Sequence, residues 1–221
     1  MKYFYLLLFC ATLFVQSQTV EIKIISLQAT NEANTRSYNL IYTISNLSDK
    51  TINFVLNPNS IIPIGAGSLN PSVYYKLYEN NSSIDVSGVF TQQGKSKSFK
   101  DDKEMQKYSD SLFNTFKSKT LEILEKERKE RITNNIQELK PKEERQYEAV
   151  LNWDKTRYFR NDVIEYYINE TAKHYFELHI NLMQDELLSK FTPEEKTELL
   201  KEKNIVKGWF TSPKVEIDFT E

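Results

Sequence analysis

The sequence predicts a mainly β protein, an antiparallel β-sandwich carrying one helical insertion. Apolar residues alternate with polar ones at the period of a half-buried strand in several separate stretches. The clearest are Tyr38, Leu40, Tyr42 and Ile44, and then Phe176, Leu178, Ile180 and Leu182. These stretches do not alternate with helices, as a βαβ fold requires. Only residues 101–140 change character, and there the apolar spacing becomes helical.

The chain opens on Tyr3 to Val15, an almost unbroken apolar run between Lys2 and Gln16-Ser17. A basic start, an apolar middle and a small terminal residue make the pattern of a signal peptide. The run of about 13 residues is shorter than the roughly 20 that span a bilayer. The expectation is a signal peptide at 1–17, cleaved after Ser17. The product would be exported, periplasmic or secreted, with no transmembrane span in the mature chain. Cys10 is the only cysteine, so the mature chain would hold no disulfide, thiol nucleophile or cysteine-based zinc site.

Residues 18–221 are expected to form one sandwich domain with the insertion at about 101–140. In the first strand, residues 20–27, Val20, Ile22 and Ile24 share a parity that Ile25 and Leu27 break, which predicts a bulge or two covered faces. Residues 37–56 read as a hairpin, two strands joined by the polar turn Asn46-Leu47-Ser48-Asp49-Lys50. Residues 61–71 read as a loop, and 73–78 as a strand ended by Glu79-Asn80-Asn81-Ser82.

Within the insertion Met105, Tyr108, Leu112, Phe116 and Ile123/Leu124 mark a helical face that Ile132, Ile136 and Leu139 extend. One continuous helix would be roughly 57 Å long. The segment therefore projects, or breaks near Ser118-Lys119-Thr120 or Thr133-Asn134-Asn135 into a helical hairpin; Pro141 ends it. Sheet resumes at 142–153. A short helix is expected at 161–168 and a strand at 173–182. Thr192, Pro193 and Glu195 supply the N-cap, first-turn proline and capping-box acid of a helix running to Lys203. Val215, Ile217 and Phe219 form the last strand.

Composition works by exclusion. The 221 residues are 39% hydrophobic and 27% charged with a net charge of −2, which gives no basic footprint for nucleic acid. Glycine is scarce, and Gly65-Ala66-Gly67-Ser68 lacks the third glycine of a dinucleotide loop and the helix that should follow, so it reads as a turn. His174 and His179 lie five apart on one strand and so point to opposite faces. They cannot share a metal unless the strand is bulged; the simplest account makes both polar residues on the wet face of a sheet. His179 does share a face with Glu177, a pairing that can bind an ion or shuttle a proton.

The neighbouring acids Asp101-Asp102, Glu143-Glu144 and Glu194-Glu195 stand at element starts, where the helix dipole or strand divergence accounts for them better than acid–base catalysis. No catalytic, cofactor-binding or metal-binding residue is assigned, and no cofactor is expected. Three tyrosine-rich clusters remain as aromatic binding candidates: Tyr74, Tyr75 and Tyr78; Tyr158 and Phe159; and Tyr166 and Tyr167.

Asn46-Leu47-Ser48-Asp49-Lys50-Thr51-Ile52, followed far downstream by Leu139-Lys140-Pro141-Lys142-Glu143-Glu144, resembles the layout of small bacterial immunoglobulin-like domains. Those domains carry an Asn-x-Ser-Asp-Lys turn after an early strand and a Leu-x-Pro-Gly-Glu turn before a later one. The intracellular proteinase inhibitor (BsuPI-type) domains are similar in this respect, and Lys142 stands where their pattern has glycine. The ending Gly208-Trp209-Phe210-Thr211-Ser212-Pro213-Lys214-Val215 is similar to the closing strand of exported Gram-negative proteins.

The resemblance implies an immunoglobulin-like antiparallel β-sandwich and no catalytic residue. The functional expectation is a non-enzymatic binding or envelope-associated module with a protein or glycan partner in the cell envelope. The alternatives are a carboxylate-dependent hydrolase, or a protease inhibitor by analogy of fold.

Overall fold

The computed structural model describes residues 19–31, 35–64, 72–84, 90–91, 99–117, 120–154, 169, 171–182, 188–189, 191–199 and 205–220. The expected signal peptide at 1–17, the Gly65–Ser68 turn, the helix at 161–168, the helix end near Lys203 and the clusters Tyr158/Phe159 and Tyr166/Tyr167 lie outside the described residues.

The chain is mainly β, and side chains from its antiparallel and mixed sheets join in one large buried apolar cluster. In the first sheet, β1 (Val20–Asn31) pairs antiparallel with β2 (Thr35–Asn46). β2 also pairs with β9 (Glu144–Asp154), and β7 (Phe90–Thr91) lies at the far edge. The β1–β2 register shifts between Ile24 and Ser26. Ile25 is thus the bulge that the parity break predicts, and it stands exposed on an edge strand, where bulges discourage pairing with another chain.

The second sheet has the order β11 (Trp209–Thr211), β10 (His174–Asn181), β5 (Ser72–Glu79), β4 (Asn57–Pro63). β12 (Val215–Ile217) pairs with the start of β10, and β6 (Ser82–Ile84) with the end of β5. β11 and β12 share one edge of β10. The gap between them is closed by Ser212, whose N–H donates to Leu178 O and whose Oγ accepts from Leu178 N.

Inward-pointing side chains of both sheets make the core. Tyr38, Leu40, Tyr42 and Ile44 of β2 meet Tyr75 and Leu77 of β5 and Phe176, Leu178 and Ile180 of β10. Each fully buried aliphatic or aromatic side chain contributes about 1.5–3 kcal/mol relative to exposure. The rings are arranged in pairs: Tyr42 stacks on Tyr147 at 5.3 Å, Tyr75 on Phe176 at 5.6 Å, and Phe219 meets Tyr38 edge-on at 5.8 Å. Tyr75 of the first aromatic cluster is therefore core.

Three expectations are corrected. Residues 37–56 are not a hairpin: β3 (Ile52–Val55) pairs with β8 (Ile136–Leu139) in a separate two-stranded sheet, and β2 takes β1 and β9 as neighbours. Alternation marks a strand but says nothing about its partner. The sheet system is not wholly antiparallel either, because Ile61, Ile62 and Pro63 of β4 run parallel to Val73, Tyr74 and Tyr75. The helical face, finally, does not reach Leu139. α1 (Asp102–Lys117) is followed by α2 (Leu121–Thr133), which starts on an N-cap at Thr120, and Ile136 to Leu139 is strand. Ile132, Ile136 and Leu139 are spaced three and four apart, which fits a helix as well as a helix end followed by a strand.

A smaller apolar cluster holds the insertion to the sheets. Val55 of β3 meets Ile132 of α2 together with Leu188, Phe191, Leu199 and Ile205. Next to it lies α3 (Pro193–Thr197), started by a complete capping box between Thr192 and Glu195, as the sequence predicts. Lys129 Nζ of α2 donates to Glu195 Oε2 at 2.8 Å and ties the two helices together.

Candidate functional site on the outer face of the six-stranded sheet

Period two divides β10 cleanly. His174, Phe176, Leu178 and Ile180 are buried, and Tyr175, Glu177, His179 and Asn181 are half-buried on the opposite face. The two histidines do part company, but only His179 is on the wet face. His174 is 1% exposed, with Phe219 edge-on at 5.1 Å. Its Nδ1–H donates to Ala172 O, and its Nε2 lies 3.5 Å from Glu79 Oε2. The expectation that both are surface residues is corrected for His174, because the inward parity of β10 is otherwise entirely apolar and carries it into the core.

On the outer face Glu177 is the hub. Its Oε2 accepts a 2.5 Å hydrogen bond from the Tyr78 hydroxyl and a 2.8 Å bond from His179 Nε2. A carboxylate only accepts, so His179 must carry hydrogen on Nε2. Among the described residues no hydrogen bond is made by its Nδ1, and the side chain is 16% exposed. Burial, then the bond to Glu177 and its charge, push the Tyr78 phenol up to about 12, which keeps it a neutral donor. Lys214 Nζ sits 3.4 Å from the Tyr78 ring centroid and Lys76 Nζ 5.7 Å away, both at cation–π range.

Beside this network lies an aromatic platform. Tyr74 is opposite His179 on the β5 side, and Trp209 is opposite Asn181 on the β11 side. Their rings reach over β10 and meet at 5.5 Å. Tyr74 is 3% exposed and Trp209 is 52% exposed, so the tyrosine buttresses a tryptophan that shows half its surface to solvent. Gly208 precedes it at φ +117°, a conformation L side chains rarely adopt, and this turn delivers Trp209 into β11.

The remaining candidates are accounted for structurally. Asp101 Oδ1 accepts from Glu104 N at the start of α1. Glu143 accepts from Lys140 N and Arg145, which together hold its carboxyl below the usual range, while Glu144 turns away to accept from Ser45 Oγ. Glu195 is held low by Lys129 and by the Thr192 N–H of its capping box. Asp101, Glu143, Glu144 and Glu195 thus each have a hydrogen-bond partner close by in the structure.

A groove of about 790 Å³ lined by Gln137, Glu138, Lys140, Lys142 and Arg145 runs beside the Asn46 turn. Two of its three cations are engaged there: Lys142 Nζ donates to Leu47 O and pairs with Asp49, and Arg145 donates to Glu138 O and Glu143. No group of three or more metal-ligating side chains occurs among the described residues.

Sequence reasoning reached His179, Glu177, Tyr74 and Tyr78 but missed Trp209, Lys76 and Lys214. The signal for Trp209 was the glycine before it, which marks a turn into a strand too short to show parity. No known protein family, curated protein or solved structure matches the chain. No helix among the described residues is long and apolar enough to cross a membrane.

Proposed function

We propose that this chain is an exported, non-enzymatic binding module of immunoglobulin-like β-sandwich type, and that it takes a glycan of the cell envelope on the outer face of its six-stranded sheet. The observation that carries the proposal is the half-exposed Trp209, backed by Tyr74 and flanked by the Tyr78–Glu177–His179 network. Sugar rings present C–H faces that stack on an aromatic plane and hydroxyls that need nearby donors and acceptors. A rigid tryptophan beside His179, Asn181 and Thr211 provides both. The His179 and Glu177 side chains are 16 and 14% exposed, so the network presents preorganised hydrogen-bonding groups beside the more exposed Trp209.

The fold assignment is supported by Asn46, whose side-chain N–H₂ donates to Leu139 O and Lys140 O and so joins the two turns on which the family resemblance rests. Export is supported by the sequence of residues 1–17, and N-terminal sequencing of the secreted product should begin at Gln18.

The test of ligand class is retention of the purified protein on insoluble peptidoglycan and on immobilised outer-membrane polysaccharide, with Trp209→Ala as the control. Retention that falls at least tenfold in the variant supports the proposal. Absence of retention on both materials, or retention that the variant leaves intact, refutes it.

A further inference from the structure

We propose that the glycan taken by this face is acidic, and that Lys214 and Lys76 bind a carboxylate or phosphate carried on the sugar chain beyond the unit stacked on Trp209. The inference rests on the glycan-binding reading of the same face and names the ligand class that the face selects.

Three strands bring the two lysines to one place. Lys76 lies opposite Glu177 in the β5–β10 register. Phe176 lies opposite Val215 in the β10–β12 register, so Lys214 continues the row of Glu177 on its other side. Both ammoniums meet the Tyr78 ring, Lys214 Nζ at 3.4 Å from the centroid and Lys76 Nζ at 5.7 Å. Lys214 is exposed and Lys76 half-buried. The ring attracts an ammonium through its face, but each ammonium carries three N–H donors that still need acceptors. Among the described residues neither lysine donates a hydrogen bond or makes an ion pair.

The neighbouring acids do not answer them. Glu177 accepts on Oε2 from the Tyr78 hydroxyl and from His179 Nε2. Glu216, opposite Tyr175 in the next row, pairs with neither lysine. The row of Glu177 therefore carries two cations against one carboxylate that is already bonded. An anionic oxygen from the ligand would make charge-assisted hydrogen bonds there, stronger than any a neutral hydroxyl offers.

Position sets the length of the ligand. Glu177 stands four residues along β10 from Asn181, which is opposite Trp209. At about 3.3 Å per residue the lysine row lies roughly 13 Å from the tryptophan row. One sugar ring on Trp209 does not reach that far, and a short oligosaccharide does.

The test takes peptidoglycan or outer-membrane polysaccharide, whichever retains the protein, and neutralises it in two separate ways. Carbodiimide coupling to ethanolamine removes the charge of carboxylates, and hydrofluoric acid removes phosphates. One treatment should lower retention at least tenfold, and which one does so identifies the anion. On untreated material Lys214→Gln should weaken retention about tenfold and Lys214→Arg should keep it. Adding Lys76→Gln should deepen the loss; if that variant misfolds, Lys214→Gln alone gives the reading. Lys117→Gln, on α1, should change nothing. Retention that survives both treatments, or that Lys214→Gln leaves intact while Trp209→Ala abolishes it, would overturn the acidic ligand and leave the glycan reading standing. An equal loss in Lys117→Gln would overturn it as unspecific charge attraction. Absence of retention for the wild-type chain refutes both readings together.

Discussion

Asn46 is the residue whose loss should most weaken the fold for its size. It is 1% exposed. Its Nδ2 faces Lys50 O at 2.8 Å, Leu139 O at 3.2 Å and Lys140 O at 2.8 Å, and its Oδ1 accepts from Ser48 N at 2.9 Å and Ser48 Oγ at 2.7 Å. Two amide hydrogens serve three carbonyls, so the side chain makes about four effective hydrogen bonds. At a net worth of about 0.5–1.5 kcal/mol each, with the buried carbonyl of Leu139 left short of a partner, Asn46→Ala should cost about 2–4 kcal/mol. With a urea slope of about 2 kcal/mol/M the midpoint falls by roughly 1–2 M.

Equilibrium urea unfolding followed by far-UV circular dichroism measures this directly. Asn46→Asp separates the two halves of the side chain, because it keeps the acceptor for Ser48 and turns a carboxylate toward three carbonyl oxygens. It should be at least as damaging as alanine. A loss below about 0.5 kcal/mol in the alanine variant would refute the idea that this amide holds the two turns together.

Lys142 has φ +60°, the left-handed region that strains a residue with a Cβ. Lys142→Gly should therefore be more stable than Lys142→Ala by about 1 kcal/mol, since both lose the ammonium and only glycine relieves the backbone; equal urea midpoints would refute the strain. Burial raises the phenols of Tyr42 and Tyr147, and burial with the Glu177 bond raises Tyr78 to about 12. A folded pKa above the unfolded value of about 10 means that this stability is complete below pH 10 and is lost as pH climbs through 12. Phenolate absorbance at alkaline pH should lag in the folded protein relative to urea, and a titration with all tyrosines at the unfolded value and circular dichroism unchanged would contradict it. Excising Asp102–Lys117 should move stability by under about 1 kcal/mol, because α1 buries nothing, whereas excising residues 103–138 removes Ile132 and most of β8 and should yield an insoluble chain. Soluble, cooperatively unfolding protein from the longer deletion would show that β8 is dispensable.

Strands were legible because burial on one face imposes period two, and His174 and His179 could be assigned to opposite faces on that ground alone. Pairing was not legible. The alternation in Ile52, Phe54 and Leu56 is the same whether β3 lies beside β2 or beside β8, and the choice is made by backbone bonds such as Asn46 N to Glu143 O, far apart in sequence. β4 was hidden because Asn57-Pro58-Asn59 looks like a terminator and its parallel contact covers only four residues, with a register shift between Asn57 and Ile61. Half of the candidate site was visible as Tyr74, Tyr78, Glu177 and His179. Trp209 was not, because a three-residue strand is too short to show a period.

The position of β9 carries a kinetic consequence. β1 and β2 meet through a short connection, Asn31 opposite Arg36, and can pair early. The other side of β2 waits for a strand whose nearest partner, Glu144 for Ser45, is 99 residues away. Closing so long a loop costs entropy before any contact repays it, so this ladder should form late and slowly. Until it does, β2 exposes an unpaired edge lined by Leu40, Tyr42 and Ile44. For a chain with no disulfide in its expected mature form, that interval is when aggregation is most probable, and it is set by topology rather than by the stability of the finished fold.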